Sequence, residues 1–190
     1  MASSVYDELL KMVGGKRVVE TGVYKVDEVM IRHWCEAMEN ANPLYTDEEY
    51  AKQEGRYGNI ISPPAMVQTW IMPQLWPDGA YEKFYPTRVR TEVELANDPY
   101  ILVRKKLIDA GYSGTVATNT VMDFFQPLFP GDQVVVEKTF SNISAEKKTS
   151  RGLGHFIEFL WTYKNQNGEV LCQQKFGLFM FKAVKDGGSS

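Results

Sequence analysis

The residues of this chain best placed for chemistry lie in one short stretch, Glu39-Asn40-Ala41-Asn42-Pro43-Leu44-Tyr45. Two amides, an Asn-Pro step and a phenol fall together there. An amide cannot act as a base, and a tyrosine hydroxyl with an ordinary pKa near ~10 is poorly matched to proton transfer at neutral pH. The stretch therefore offers hydrogen bonds rather than acid–base catalysis, and it can also be read as a plain loop, because Asn and Pro are ordinary turn residues. The only histidines are His33 and His155. His33 falls within a helical pattern and reads as a surface or interface residue. His155 sits in Arg151-Gly152-Leu153-Gly154-His155-Phe156, where glycines permit close backbone approach by a ligand or a partner chain. A strand-entrance turn with a satisfied imidazole explains the same residues. Cys35 and Cys172 read as small buried residues rather than nucleophiles. No His, Cys, Asp or Glu cluster has metal-ligand spacing. The basic groups Lys147, Lys148, Arg151 and Arg104, Lys105, Lys106 could meet phosphates, but clusters of this size are ordinarily solvated surface.

Several elements must position these residues. Val5 to Met12 predicts a short helix ended by Gly14-Gly15, and Val18 to Val26 an extended segment. Asp27 predicts an N-cap for a helix to about Met38, with Val29, Met30, Trp34 and Ala37 along its apolar stripe. That helix delivers the chain into the Asn40–Tyr45 stretch. Thr46 with Glu49 predicts a capping box for a further short helix. Ser62-Pro63-Pro64 then predicts a helix start, with Ser62 as cap and Pro63 in the first position. Ala65 to Leu75 is apolar around most of its circumference, with Met66, Trp70 and Met72 first of all core residues. A helix so apolar, too short to span a membrane and followed by several strands, fits one wrapped by a curved sheet. This is the hotdog architecture.

A loop punctuated by Pro73, Pro77, Gly79 and Pro86 follows, and Trp76, Tyr81, Phe84 and Tyr85 beside it leave room for a bulky apolar ligand. Pro99 to Ala110 reads as a helix stopped by Gly111. The remainder reads as strands: Val116 to Phe125, a turn at Pro127 to Asp132, and Gln133 to Asn142. Phe156 to Tyr163 puts Ile157, Phe159, Trp161 and Tyr163 on one face, and a hairpin at Asn167-Gly168 leads into Val170 to Phe181. Helices in the first half and strands in the second predict the α+β class, as one domain over 1–184 with a flexible tail at 185–190.

The 190 residues are 44% hydrophobic and 24% charged, an ordinary globular composition, and the net charge of −3 argues against nucleic-acid binding. Two cysteines are too few for a disulfide framework. The start lacks the basic and apolar regions of a signal peptide, and no run is long enough to span a membrane. A cytoplasmic location, no membrane and no nucleic acid are therefore expected.

The Asn40–Tyr45 stretch resembles the signature of MaoC-type R-specific enoyl-CoA hydratases, G-D-x-N-P-hydrophobic-H. In that family the Asp and His handle water and protons during addition to a 2-enoyl thioester. Their places are taken here by Asn40 and Tyr45, while Asn42 and Pro43 remain. The Phe129-Pro130-Gly131-Asp132 turn is similar to one that precedes a long strand in the family. The family's His-Gly at the start of the central helix corresponds to Pro64-Ala65. A backbone N–H there polarises the thioester carbonyl; Pro64 removes one donor, and the Ala65 N–H remains. Ser62 to Met66, Leu107 to Thr118 and Gly154-His155-Phe156 are similar to the larger subunit of heteromeric MaoC-like hydratases of steroid side-chain degradation. The half-domains of fatty-acid-synthase-like dehydratases are more distantly similar.

This resemblance implies a chain without catalytic residues that shapes a pocket for a fused-ring CoA thioester. A small MaoC-like hotdog partner would supply the catalytic Asp and His, in an α2β2 dimer of heterodimers. It implies Asn40, Asn42, Tyr45, Pro64, Ala65, Met66, Trp70, Gly154 and His155 as substrate-binding residues. It also implies no cofactor beyond the coenzyme A of the substrate. Some such larger subunits continue into an OB-like domain that docks an aldolase, a property left in doubt for a chain ending at Ser190. Two other readings stay open. One is a non-enzymatic acyl-CoA or steroid-binding module. The other is a hotdog thioesterase, disfavoured because that chemistry usually takes a carboxylate on or beside the central helix and Ala65 to Leu75 has none.

Overall fold

The computed structural model describes residues 4–72 and 97–183. The expected loop at Pro73 to Pro86, with its aromatic residues, and the expected tail lie outside them. The described elements run α1 (Val5–Leu10), β1 (Val18–Lys25), α2 (Glu28–Ala37), a 3-10 turn (Pro43–Tyr45), α3 (Glu48–Glu54) and a central 3-10 helix (Pro64–Ile71). They continue with α4 (Pro99–Asp109), β2 (Gly114–Phe124), β3 (Gln133–Ile143), β4 (Lys147–Thr149), β5 (Gly152–Lys164) and β6 (Val170–Ala183). The strands form one antiparallel sheet in the order β1-β3-β5-β6-β2, with β4 added to β5. The helical elements come first and the long strands later, and the sheet cradles the central helix in the hotdog arrangement expected.

Side-chain alternation decides which sheet face is covered. In β3 the buried positions are Val134, Val136, Lys138 and Phe140, and in β5 Ile157, Phe159 and Tyr163 point the same way, with Trp161 half-buried between them. Each large apolar side chain buried there contributes about 1.5–3 kcal/mol. Two packed clusters share this face. Met66, Val67 and Trp70 of the central helix sit on Val134, Val136, Tyr163 and Cys172 in the first. In the second, Leu9 of α1 with Val103 and Leu107 of α4 sit on Phe140, Ile157, Phe159 and Met180. β1 approaches the central helix so closely at Gly22 that any Cβ there would collide with the Trp70 carbonyl.

Two turns behave as expected. Gly131 adopts φ 93° and donates to the Val26 carbonyl at 2.9 Å, while Asp132 Oδ2 accepts from Phe129 N at 2.8 Å. This turn hands the chain into β3 and holds the end of β1. The β5–β6 hairpin closes with Gly168 at φ 84°, and Asn165 Oδ1 accepts from both Asn167 N and Glu169 N at 3.0 Å.

Three local expectations are corrected. The buried stripe of α2 is Ile31 and Cys35, with Trp34 half-buried, whereas Val29 and Met30 face outward and Ala37 is exposed. An i, i+4 pair makes the sheetward contact instead of the wider stripe. The cap of α3 is Asp47, which accepts from Tyr50 N at 2.9 Å; Thr46 ends the preceding 3-10 turn. The central element is a 3-10 helix rather than an α-helix, and Ser62 does not cap it. Pro63 holds the N-cap position without a side-chain bond. Adjacent prolines withhold two amide donors at the start, and β-branched Val67, Thr69 and Ile71 have low α propensity. The resulting i+3 bonds include Met66 N to Pro63 O at 2.9 Å and Met72 N to Thr69 O at 3.3 Å.

Candidate functional site

The Asn40–Tyr45 stretch is held by its own amides. Glu39 takes a left-handed conformation at φ 52°, which turns the chain out of α2. Asn40 N donates to the Cys35 carbonyl at 2.8 Å, and Asn40 Oδ1 accepts from Asn42 N at 3.1 Å. Asn42 Oδ1 in turn accepts from Leu44 N at 3.1 Å, capping the 3-10 turn that Pro43 begins. The oxygen of each amide is thus engaged with backbone. Tyr45 is half-buried and packs against the first core cluster. The stretch is tied to the segment leading into the central helix, where Ile61 N donates to Leu44 O at 3.4 Å.

Two hollows flank these elements. Asn40 borders a broad open depression of about 530 Å³ shared with Arg32, Glu36 and Thr46. The second is an apolar cavity of about 270 Å³ at the start of the central helix. Ser62, Pro64 and Val67 form one wall, and Phe124, Leu171 and Cys172 form the other. Tyr57 and Phe125, 43% and 53% exposed, stand at its rim. Pro64 and Ala65 are themselves exposed, and Ala65, next in sequence to the cavity-lining Pro64, carries the first amide N–H of the helix. The sequence did not point to the β6 and Phe124–Leu128 wall; the Phe124-Phe125 doublet was the one signal available.

The remaining expected site residues divide. Met66 and Trp70 are core residues, 0% and 3% exposed. Trp70 Nε1 donates to Ser62 Oγ at 3.2 Å. Gly154 and His155 lie in β5 beside the second cluster, apart from the residues around the cavity. The close approach at Gly154 is by β6 of the same chain, since a Cβ there would sit 2.8 Å from Phe181 Cα. His155 is 2% exposed, with Nδ1 2.9 Å from the Ser144 carbonyl and its ring between Tyr6 and Tyr112. His33 is exposed on α2.

The thiols are quiet. Burial, reinforced by Asp123, pushes Cys172 from 9.0 to about 11, and burial with Glu36 raises Cys35. At neutral pH both remain protonated and non-nucleophilic. Of the basic residues, Lys105 and Lys106 pair with Asp109 at 2.7 Å and Glu8 at 3.1 Å, while Arg104 lies over the Tyr100 ring. A buried ion cluster went unanticipated: Lys138 pairs with Glu20 at 2.9 Å and Asp98 at 3.3 Å, tying β1, β3 and the N-cap of α4 together. A lone lysine at an inward position of an apolar strand was its only sequence signal. Among the described residues no helix is long and apolar enough to cross a membrane.

Comparison with known proteins adds an independent line. The family model described as FAS1-like, dehydratase domain region, matches residues 12–174. A probable enoyl-CoA hydratase alpha subunit of Thermomonospora curvata is 35% identical over 187 residues, covering 97% of this chain and 54% of the relative. The 3-oxo-4,17-pregnadiene-20-carboxyl-CoA hydratase alpha subunit of Mycobacterium tuberculosis is 36% identical over 132 residues, or 70% of this chain and 37% of the relative. This chain thus spans about half or less of the length of these relatives. A chain in the crystal structure of the ChsH1–ChsH2 complex from Mycobacterium tuberculosis superposes with a TM-score of 0.80 at 27% identity, covering 97% and 95% of the two chains.

Proposed function

Because this chain belongs to the family of FAS1-like dehydratase regions, we propose that it is the substrate-binding half of a heteromeric enoyl-CoA hydratase acting on steroid side-chain 2-enoyl-CoA thioesters. The observation that carries the reading is the pairing of an amide-locked loop with an apolar cavity. Asn40 and Asn42 spend their carbonyl oxygens on backbone N–H groups, and neither they nor Tyr45 lines the cavity beside Ala65 N–H.

Hydration places a hydroxyl on C3 and a proton on C2 of the enoyl thioester, so it needs a base for water, an acid for C2 and a donor for the enolate oxygen. Ala65 N–H, at the positive end of the central helix, fits the third role. The first two fall to the Asp and His of a small hotdog partner. Coenzyme A enters as part of the substrate, and the reading calls for no other cofactor and for a cytoplasmic setting. The cavity walls, Pro64, Val67, Phe124 and Leu171, suit an apolar acyl group. The named relatives, alpha subunits of an enoyl-CoA hydratase and of a steroid carboxyl-CoA hydratase, support the same assignment.

The surface for a partner is supported by β2. Among the described residues it pairs only with β6, at ten of its eleven positions with a bulge at Thr118, and Val121 and Phe124 are 50% and 47% exposed. A long edge strand with apolar side chains is an unstable surface unless something covers it. The test is hydration of a steroid 2-enoyl-CoA by this chain alone and by this chain mixed with a small hotdog protein bearing Asp and His. Activity confined to the mixture is expected. Turnover by the isolated chain sinks the reading, and stable ligand binding with no turnover in any mixture favours a non-enzymatic acyl-CoA-binding module.

A further inference from the structure

Beneath the central 3-10 helix lies a buried polar junction in an otherwise apolar setting. Gln174 of β6, 2% exposed, accepts through Oε1 from Gln68 Nε2 at 2.8 Å and from Tyr163 OH at 2.7 Å. Tyr163 is itself fully buried on β5. One carbonyl oxygen thus joins the central helix to two neighbouring strands. Apolar residues would pack this space at lower desolvation cost, so the junction serves direction rather than bulk.

The direction it encodes is the winding of the helix. A 3-10 helix turns about 120° and rises about 2.0 Å per residue, against about 100° and about 1.5 Å in an α-helix. Over the four residues from Pro64 to Gln68 the two differ by roughly 80° of rotation and roughly 2 Å of rise. Only one winding lets Pro64 and Val67 face the cavity while Gln68 meets Gln174. The opposite cavity wall, Leu171 and Cys172, belongs to the same strand as Gln174. The bond therefore fixes the separation of the two walls as well as the winding.

We propose that Gln68 and Gln174 are positioning residues that hold the central segment in its 3-10 form and so set the size of acyl group the cavity accepts. This inference rests on the acyl-CoA reading of the cavity. Gln174 touches no ligand in it; it acts through Pro64, Val67 and the Ala65 amide.

The test compares three full-length proteins, each with any hotdog partner that co-purifies: wild type, Tyr163→Phe, and the triple variant Gln68→Leu, Tyr163→Phe, Gln174→Leu. The triple variant removes every member of the junction at once, so neither the Gln68 nor the Tyr163 donor is stranded. Affinities for a steroid 2-enoyl-CoA and for crotonyl-CoA are measured by calorimetry beside thermal melting. The expected result is a ratio of the two affinities that changes roughly ten-fold in the triple variant, the range set by small changes in an apolar pocket. Tyr163→Phe, which keeps the Gln68–Gln174 bond, should retain the wild-type ratio. An unchanged ratio in a folded triple variant overturns the inference, as does a ratio lost already in Tyr163→Phe. If the triple variant does not fold, Gln174→Glu replaces it: the carboxyl keeps an acceptor for Gln68, and a wild-type ratio is expected against a changed one for Gln174→Met. Wild-type protein that binds neither thioester defeats the acyl-CoA reading itself.

Discussion

Trp70 Nε1 donates to Ser62 Oγ at 3.2 Å, so the last turn of the central segment is tied back to the residue before its first proline. A serine that sequence alone marks as an N-cap is used instead as the acceptor for a buried indole. The consequence is a short helix whose last turn is pinned to its entrance, beside the apolar cavity.

Ser62→Ala should therefore destabilise the fold by about 1–3 kcal/mol, because the buried Trp70 N–H loses its acceptor. Chemical denaturation followed by tryptophan fluorescence checks this. A loss under about half a kcal/mol would mean that the indole finds another partner.

The Lys138 cluster gives the largest expected effect. Lys138→Met withdraws the ammonium that the carboxylates of Glu20 and Asp98 share, at 8%, 14% and 2% side-chain exposure. Breaking a buried ion pair on one side costs about 3–5 kcal/mol. The melting temperature should fall by roughly 6–20 degrees in a chain of this size. A near-normal melt would show that the ammonium is not needed at this site.

Alkaline pH should weaken the fold through Cys172. Its thiol is held near 11 in the folded chain against 9.0 when exposed. A group whose pKa is raised by folding contributes its full stability below the unfolded value and loses it above. The loss therefore runs from about pH 9 to about pH 11 and amounts to about 3 kcal/mol. Cys172→Ala should show a shallower decline across that window than wild type. Parallel pH profiles would refute the assignment.

Restoring the motif should not restore chemistry. In Asn40→Asp with Tyr45→His, the new carboxylate is expected to go on accepting the Asn42 N–H at the open depression, away from the apolar cavity. Hydration of crotonyl-CoA by the isolated double variant should stay at the uncatalysed rate. A measurable gain would show that the loop moves into reach of the substrate.

Val121→Glu should abolish co-purification with a hotdog partner while leaving this chain's own melting temperature within a degree or two, because the side chain is exposed on the edge strand. Intact co-purification would place the partner on another surface.

Much of the fold could be read from local patterns. Alternation in Phe156–Tyr163 identified the buried face of β5, Asn167-Gly168 the hairpin, and Gly111 the end of α4, because each depends on neighbours two to four residues apart. The same local logic recognised that Asn40, Asn42 and Tyr45 carry no base. It failed where a side chain had several partners of comparable worth. Ser62 could cap a helix or accept from Trp70, and Thr46 or Asp47 could begin α3. His155 could face a ligand or the Ser144 carbonyl.

Residue types and spacing by themselves determined the hotdog arrangement and the absence of a base among Asn40, Asn42 and Tyr45, and the family was legible only as a motif resemblance centred on that stretch. Tertiary structure alone decided the Gln68–Gln174–Tyr163 junction, the Lys138 cluster and the separation of the Asn40 depression from the apolar cavity. Those depend on contacts between residues tens to more than a hundred positions apart, whose geometry exists only once the sheet has formed.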